Sequence, residues 1–394
     1  MAQADVVVVG HICLDVIPTF LEQKGTRIDE VLVPGKLVDV GAPVVSTGGP
    51  VSNTGLALHK LGLSTSLMGK VGDDLFGRAI MDVIGGISPE LARGMIVSPG
   101  DASSYTVVIN PPGIDRIFLH CPGANDTFAS DDVPYDTLPG TRLFHFGYPP
   151  LMQRMYSDGG RELASIFSRV KQLGLTTSLD MAKPDPASEA GRVDWPEILA
   201  RVLPHVDVFL PSADEILFML DHDRFLEIER TASSGDVTSW ADGDMLVDIA
   251  DRLLAMGPAI VGLKLGEQGF FLRSTDDQAR LADLGAVKLN DVSAWVDRKL
   301  VAPCFEVQVV GTTGSGDATI AGCLAGLLHG AGPDEVVTGA VAVGACNVEA
   351  ADALGGIRPW ADVQKRIAEG WPRRQLALDL PGWTFDETMH LYKG

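Results

Sequence analysis

At 394 residues, 46% of them apolar, with 44 glycines and 24 prolines spread along it, the chain can bury a large core and is neither disordered nor fibrous in composition. A formal net charge of -21 argues against nucleic acid and an anionic membrane surface as partners, so any phosphate site has to be built locally. Five scattered cysteines (Cys13, Cys121, Cys304, Cys323, Cys346) include no Cys-x-x-Cys pair; they suggest neither a disulfide framework nor a zinc knuckle, and the expected setting is a reducing cytoplasm.

The N-terminus passes from Met1-Ala2-Gln3-Ala4-Asp5 straight into Val6-Val7-Val8-Val9-Gly10, without the basic start and long apolar stretch of a signal peptide. No later stretch reads as a membrane span. The valine run predicts a strand buried on both faces, and residues 143–146, 176–179 and 208–210 repeat the pattern. Between the runs, residues 54–61, 76–84 and 161–173 carry apolar side chains at helical spacing, each followed by a glycine stop at Gly62, Gly85 or Gly174. This alternation predicts an α/β domain over residues 1–394, with a doubly wound, mostly parallel sheet flanked by helices.

Two regions break the alternation. Residues 31–40, together with 105–110 and 116–120 joined by the turn Pro111-Pro112-Gly113-Ile114-Asp115, predict a small antiparallel β-lid drawn from about 31–45 and 103–122. Residues 221–242 turn polar around Ser233-Ser234-Gly235 and read as a surface insertion. A C-terminal extension, about 360–394, carries Trp371-Pro372-Arg373-Arg374 and Pro381-Gly382-Trp383; its aromatics either pack on the core or meet a neighbouring subunit.

The strongest chemical signal lies near the C-terminus. Residues 305–310 alternate as a strand, and Ile320, Cys323, Leu324, Leu327 and Leu328 follow at helical spacing. Between them, Gly311-Thr312-Thr313-Gly314-Ser315-Gly316-Asp317 can turn tightly and aim backbone N–H groups outward at the positive end of a helix dipole, which makes an anion site. Asp317, in the first helical turn, can orient an incoming hydroxyl and accept its proton while the N–H groups stabilise charge on a transferring phosphoryl group. A second reading gives the glycines a turn and Asp317 a favourable place at a helix N-terminus, with no chemistry. The chain has no Gly-x-x-x-x-Gly-Lys-[Ser/Thr] loop, and Gly10-His11-Ile12-Cys13 lacks the glycines of a dinucleotide fingerprint.

The segment resembles the C-terminal signature of the ribokinase-like (PfkB-type) carbohydrate kinases, Asp-Thr-x-Gly-Ala-Gly-Asp leading into a helix, whose last Asp is the catalytic base. An N-terminal signature is resembled by Gly48-Gly49-Pro50-Val51-Ser52-Asn53 and by Gly69-Lys70-Val71-Gly72-Asp73-Asp74-Leu75-Phe76-Gly77. The resemblance runs from about Val6 to Ile357. It implies a ribokinase-like fold whose lid closes over a sugar or sugar acid, with ATP as donor and Mg²⁺ as metal. Asp317 would be the base and Gly314, Ser315 and Gly316 the anion hole. Asp15, Gly48, Gly49 and Asn53 would face the sugar, joined by Arg116 and Asn125 at the lid edge. Lys264, Gly266, Gly269, Thr312 and Asn347 would lie along the nucleotide, and Glu215 would organise Mg²⁺ through water. Neutral polyols need fixed Asp and Asn partners and close backbone approach, which these residue types provide. Singly they have structural readings too: Asp15 as a turn cap, Asn53 as an N-cap, Gly48-Gly49 as a loop.

Two departures stand out. Gly311 replaces the usual Asp associated with a monovalent-cation site, which leaves K⁺ dependence open, and Ser212 replaces the usual Asn before Glu215. The resemblance leaves two alternatives to a sugar kinase: a nucleoside kinase on the same fold and a non-catalytic carbohydrate-binding regulator. It also suggests a homodimer through the lid.

Overall fold

The computed structural model describes residues 4–21, 27–114, 116–232 and 235–394. The readings made on Met1 to Gln3, on Asp115 and on Ser233-Ser234 lie outside the described residues. In chain order the strands are β1 (Val6–Gly10), β2 (Cys13–Thr19), β3 (Gly41–Gly48), β4 (Thr65–Met68), β5 (Lys70–Gly72), β6 (Ile96–Ser98), β7 (Tyr105–Ile109) and β8 (Ile117–Cys121). The second half contributes β9 (Leu143–Gly147), β10 (Thr176–Leu179), β11 (Val208–Phe209), β12 (Ile260–Lys264), β13 (Phe270–Ser274), β14 (Lys299–Ala302), β15 (Thr384–Asp386) and β16 (Leu391–Lys393).

Four consecutive valines present apolar side chains to both faces of a sheet, so they are stable only where both faces are covered. β1 is accordingly a central strand, with Val6 paired to Thr65 on β4 and to Leu143 on β9 in parallel register. The described residues form a ten-stranded sheet ordered β15-β16-β14-β13-β12-β11-β10-β9-β1-β4. From β4 to β12 the pairing is parallel; β13, β14, β16 and β15 extend the far edge antiparallel. Alternate β1 side chains fall into two separate cores, Val6 and Val8 on one face, Val7 and Val9 on the other. Helices cover both faces, which is the doubly wound arrangement.

The lid is a four-stranded sheet ordered β3-β2-β7-β8, antiparallel at β2–β3 and β7–β8 and parallel at β2–β7. Its bounds differ from the sequence expectation. Residues 32–40 form no strand: Pro34 and Gly35 interrupt the apolar alternation, and the strand begins at Gly41. Cys13–Thr19, directly after β1, supplies the lid strand that the sequence reading lacked.

Four further corrections follow. Residues 305–310 make no strand; Phe305 forms an isolated bridge to Arg373, and 306–310 run without a partner strand. The helix Pro50–Lys60 begins four residues earlier than expected, with Pro50 at its first position, where a missing N–H costs nothing. The helix Leu75–Ile87 runs through Gly85 and Gly86 rather than stopping there, while Gly62 and Gly174 do adopt positive φ. The polar segment 221–242 holds the helix His222–Thr231 and buries Phe225 and Val237, so only part of it is surface. Among the described residues no helix is long and apolar enough to cross a membrane.

Candidate active site

In a parallel sheet the chain leaves each strand at its carboxyl end, so the residues just beyond those ends collect on one side of the molecule. His11 follows β1, Tyr148 follows β9, Asp180 follows β10, and Lys264 closes β12. The helix Ser315–Leu328 points its N-terminus at this group, with Gly314 as N-cap at φ 71. Ser315 N–H is spent on Thr312 O at 3.2 Å, and the remaining first-turn N–H groups are left for an external acceptor.

Asp317 is 3% exposed and receives three hydrogen bonds. Asn53 Nδ2 donates to its Oδ2 at 2.9 Å; Tyr148 OH and Thr54 Oγ1 donate to Oδ1 at 3.0 and 3.3 Å. Burial pushes its carboxyl above the ordinary range, and these donors together with Lys264 pull the other way. The result is a fixed carboxylate with a raised proton affinity, which suits a group that accepts a proton from a hydroxyl.

Two regions flank Asp317: its neighbour Gly316 lines a cavity, and its hydrogen-bond partner Tyr148 leads through His11 toward the lid. On one side lies a cavity of about 1000 Å³ lined by Lys264, Gly266, Gly269, Thr312, Ser315 and Gly316 among others, with an apolar wall of Val307, Val341, Ala345 and Val348. On the other side lies the lid. His120 on β8 brings its ring to 5.3 Å from His11, and His11 is 6.4 Å from Tyr148. Both ring nitrogens of His11 are buried without a partner, as is Asn53 Oδ1. Burial first, and His120 second, lower the His11 pKa to about 3, so it stays neutral. Asp15 accepts from Cys13 Sγ at 3.3 Å and is raised by burial. Gly48 and Gly49 let the chain pass close by: a Cβ on Gly48 would lie 2.4 Å from Asp15 Oδ2, and one on Gly49 2.6 Å from His11 Nδ1.

Lys264 lines both the large cavity and a smaller one beside Glu215. Its Nζ is 2.6 Å from Asp180 Oδ1 and 3.7 Å from Glu215 Oε2. Burial alone would lower its pKa, but Asp180 and Glu215 outweigh that and hold the ammonium above its usual value. Burial raises both carboxyls in turn. Glu215 also accepts from Ser212 N–H at 2.6 Å, and with Asp214 it lines a smaller cavity of about 240 Å³ beside Gly316. Asp180 Oδ2 has no hydrogen-bond partner among the described residues. Hard oxygen donors next to a phosphate-facing helix end fit a divalent cation held largely through water and phosphate oxygens; among the described residues no group of three acidic, His or Cys side chains could hold a metal by itself.

Two residues expected to touch ligands are engaged elsewhere. Asn125 is fully buried and spends its amide on the backbone, accepting from Ile12 N–H at 3.1 Å and donating to Ile12 O and Pro122 O at 2.9 and 3.1 Å. It clamps the β1–β2 connection. Asn347 is likewise fully buried, donating to Ala353 O at 2.7 Å, and does not line the cavity. Arg116 is exposed and donates to Thr313 Oγ1 at 3.0 Å, so the lid reaches the glycine turn. Gly311 lies against the 350–351 backbone, where a Cβ would sit 3.0 Å from two carbonyl oxygens.

The profile of the pfkB family carbohydrate kinases matches residues 3–358. An uncharacterized sugar kinase of Archaeoglobus fulgidus is 27% identical over 270 residues, 68% of this chain and 84% of that protein. Among solved structures, the ribokinase of Arabidopsis thaliana complexed with ribose and ATP is similar with a TM-score of 0.67 at 16% identity, over 92% of this chain and 98% of that one. The ribokinase of Thermotoga maritima gives 0.64 at 18% identity, over 93% and 99%. A nucleoside kinase of Methanocaldococcus jannaschii gives 0.60 at 16%, over 94% and 100%. These structural likenesses are of fold.

Proposed function

Since the chain belongs to the pfkB family of carbohydrate kinases, we propose that it moves the γ-phosphoryl group of ATP to a hydroxyl of a sugar or sugar acid held under the lid, with Asp317 as general base. The observation that carries this reading is Asp317, buried next to Gly316 of the large cavity and fixed by Asn53, Thr54 and Tyr148. Phosphoryl transfer asks mainly for positioning and charge stabilisation. The cavity takes the nucleotide along Lys264, Gly266, Gly269 and Thr312. The N-terminus at Gly314, Ser315 and Gly316 receives the transferring oxygens.

The acceptor lies among Asp15, Gly48, Gly49 and Asn53, with Arg116 at the edge. His11 adds a neutral ring whose free nitrogens offer one donor and one acceptor. Asn53 divides its amide, donating to Asp317 and leaving Oδ1 for a substrate hydroxyl. Asp317 takes the proton of the attacking hydroxyl. Arg116, tied to Thr313, draws the lid down so that water is kept from the donor phosphate. Mg²⁺, where bound, neutralises charge on the donor phosphates; Glu215 and Asp214 are the residues that would hold it through water. The exposed lid side chains Val44, Val45, Phe118 and Leu119 support a second copy of the chain as a partner there.

Purified protein supplied with Mg·ATP and a panel of sugars, sugar acids, polyols and nucleosides is expected to release ADP with one acceptor class. Asp317→Asn should keep ligand binding and lose turnover by about 10³-fold or more. Turnover with nucleosides alone would transfer the reading to a nucleoside kinase. An unchanged rate in the variant removes Asp317 as base.

A further inference from the structure

We propose that residues 371–377, beyond the family match that ends at 358, form the nucleoside wall of the large cavity, and that Arg374 and Gln375 recognise the nucleoside half of the phosphoryl donor. The inference rests on the reading of that cavity as the ATP site.

The segment is laid as a strap along the irregular stretch that precedes the glycine turn. Glu306 N–H donates to Pro372 O at 2.9 Å, Arg374 N–H to Cys304 O at 2.8 Å, and Trp371 Nε1 to Glu306 O at 2.9 Å. Side chains lock the strap from outside. Trp371 stacks on Phe305 with centroids 4.3 Å apart, and Arg366 lies 3.6 Å above the Trp371 ring. Further on, Ala377 N–H donates to Gln268 Oε1 at 2.8 Å and Leu378 enters the core. The strap is therefore a rigid mount.

Neighbouring arginines on it have different fates. Arg373 covers the Phe305 ring at 3.8 Å and spends its guanidinium on Pro303 O at 2.8 Å and Thr338 Oγ1 at 3.1 Å, so it is consumed by packing. Arg374, directed the other way by the extended backbone, lines the cavity with Gln375. Among the described residues its side-chain partner is Glu267 at 3.1 Å, in a pair exposed enough to contribute little to stability and to rearrange around a ligand. The phosphate end of the cavity is set by Ser315 and Gly316; the strap joins the chain at Phe305, beside the apolar wall that suits the face of a base. A forked guanidinium and an amide there provide donors and an acceptor for a base edge or ribose hydroxyls.

Equilibrium binding of ADP and of adenosine to the full chain separates nucleoside contacts from phosphate contacts. The Arg374→Ala, Gln375→Ala double variant should weaken both ligands by the same factor, about tenfold, with an unchanged melting temperature. Arg374→Lys, which keeps the charge but loses the fork, should weaken both by a smaller common factor. Unchanged affinity, or a loss confined to ADP, overturns the assignment. If wild type binds neither ligand, the donor-site reading fails and the inference fails with it; if wild type binds and the variants bind equally well, the inference alone fails.

Discussion

His11 follows β1 directly and His145 sits midway along β9, and both are held neutral. Burial, with His120 acting on one and Lys264 on the other, brings each pKa to about 3. Unfolding returns both toward 6.5, so between those values the unfolded chain binds protons that the native chain refuses. Stability is fully present above about pH 6.5 and is lost as pH falls toward 3, at roughly 2 kcal/mol per histidine by pH 5. The raised carboxyls of Asp180, Glu215 and Asp317 act in the opposite sense, since the native chain holds their protons to higher pH. Urea unfolding at pH 7.5 and 5 should therefore be compared between wild type and a His11→Asn, His145→Asn variant, where the carboxyl contribution cancels. The variant is expected to lose less stability on acidification; equal losses would mean that the imidazoles are protonated in the native state.

The same residues show what a sequence reading reaches. Asp317, Gly314 and Asn53 were legible as candidates because each sits in a motif whose residue types suggest a chemistry. His11, Tyr148 and Asp180 sit in none. Yet each is the first residue after a central parallel strand, and that position, predictable from the strand assignments, carried the missing signal. Asn125 misled for the converse reason: an amide in a glycine turn beside the lid looks available, and only the fold reveals that Ile12 consumes it.

At the scale of elements, apolar runs and a hairpin turn were readable, the turn even for the exposed β8, and an exposed strand with neither was not. β1 and β9 declare themselves through continuous apolar runs, whereas β3 is largely exposed along Ala42–Val45 and gives no clear pattern. Residues 305–310 show the reverse error. Their alternation is strand-like, but the strap takes the pairing position at Phe305 and leaves Val309 and Val310 exposed. The lid sheet carries Phe118 and Leu119 at 58% and 56% exposure, a large apolar area for side chains left in water. If a second copy covers them, Phe118→Lys with Leu119→Lys should convert a dimer to a monomer in sedimentation at micromolar concentration, without loss of secondary structure. A wild-type monomer under those conditions removes the lid as a self-association surface.

For the whole molecule, a charge of -21 opposes the approach of an anionic nucleotide, and Lys264, whose side chain lies beside Gly316, is already compensated by Asp180 and Glu215. Screening should relieve that repulsion. Stopped-flow association of a fluorescent ATP analogue is expected to accelerate by about two- to fivefold as NaCl rises from about 20 to about 200 mM. A rate that falls instead would mean that a local positive field at the cavity mouth governs encounter.

The site is also divided along the chain. Residues facing the lid fall between His11 and Tyr148, and those lining the large cavity between Lys264 and Gln375. On the proposed reading, acceptor preference and donor preference would be written in separate stretches of the chain, and a crossover within the segment between them would exchange one trait while leaving the other intact. Both stretches converge on Asp317, borne by the later stretch and hydrogen-bonded by Asn53, Thr54 and Tyr148 of the earlier. Descendants of such exchanges would stay active only where that junction was kept.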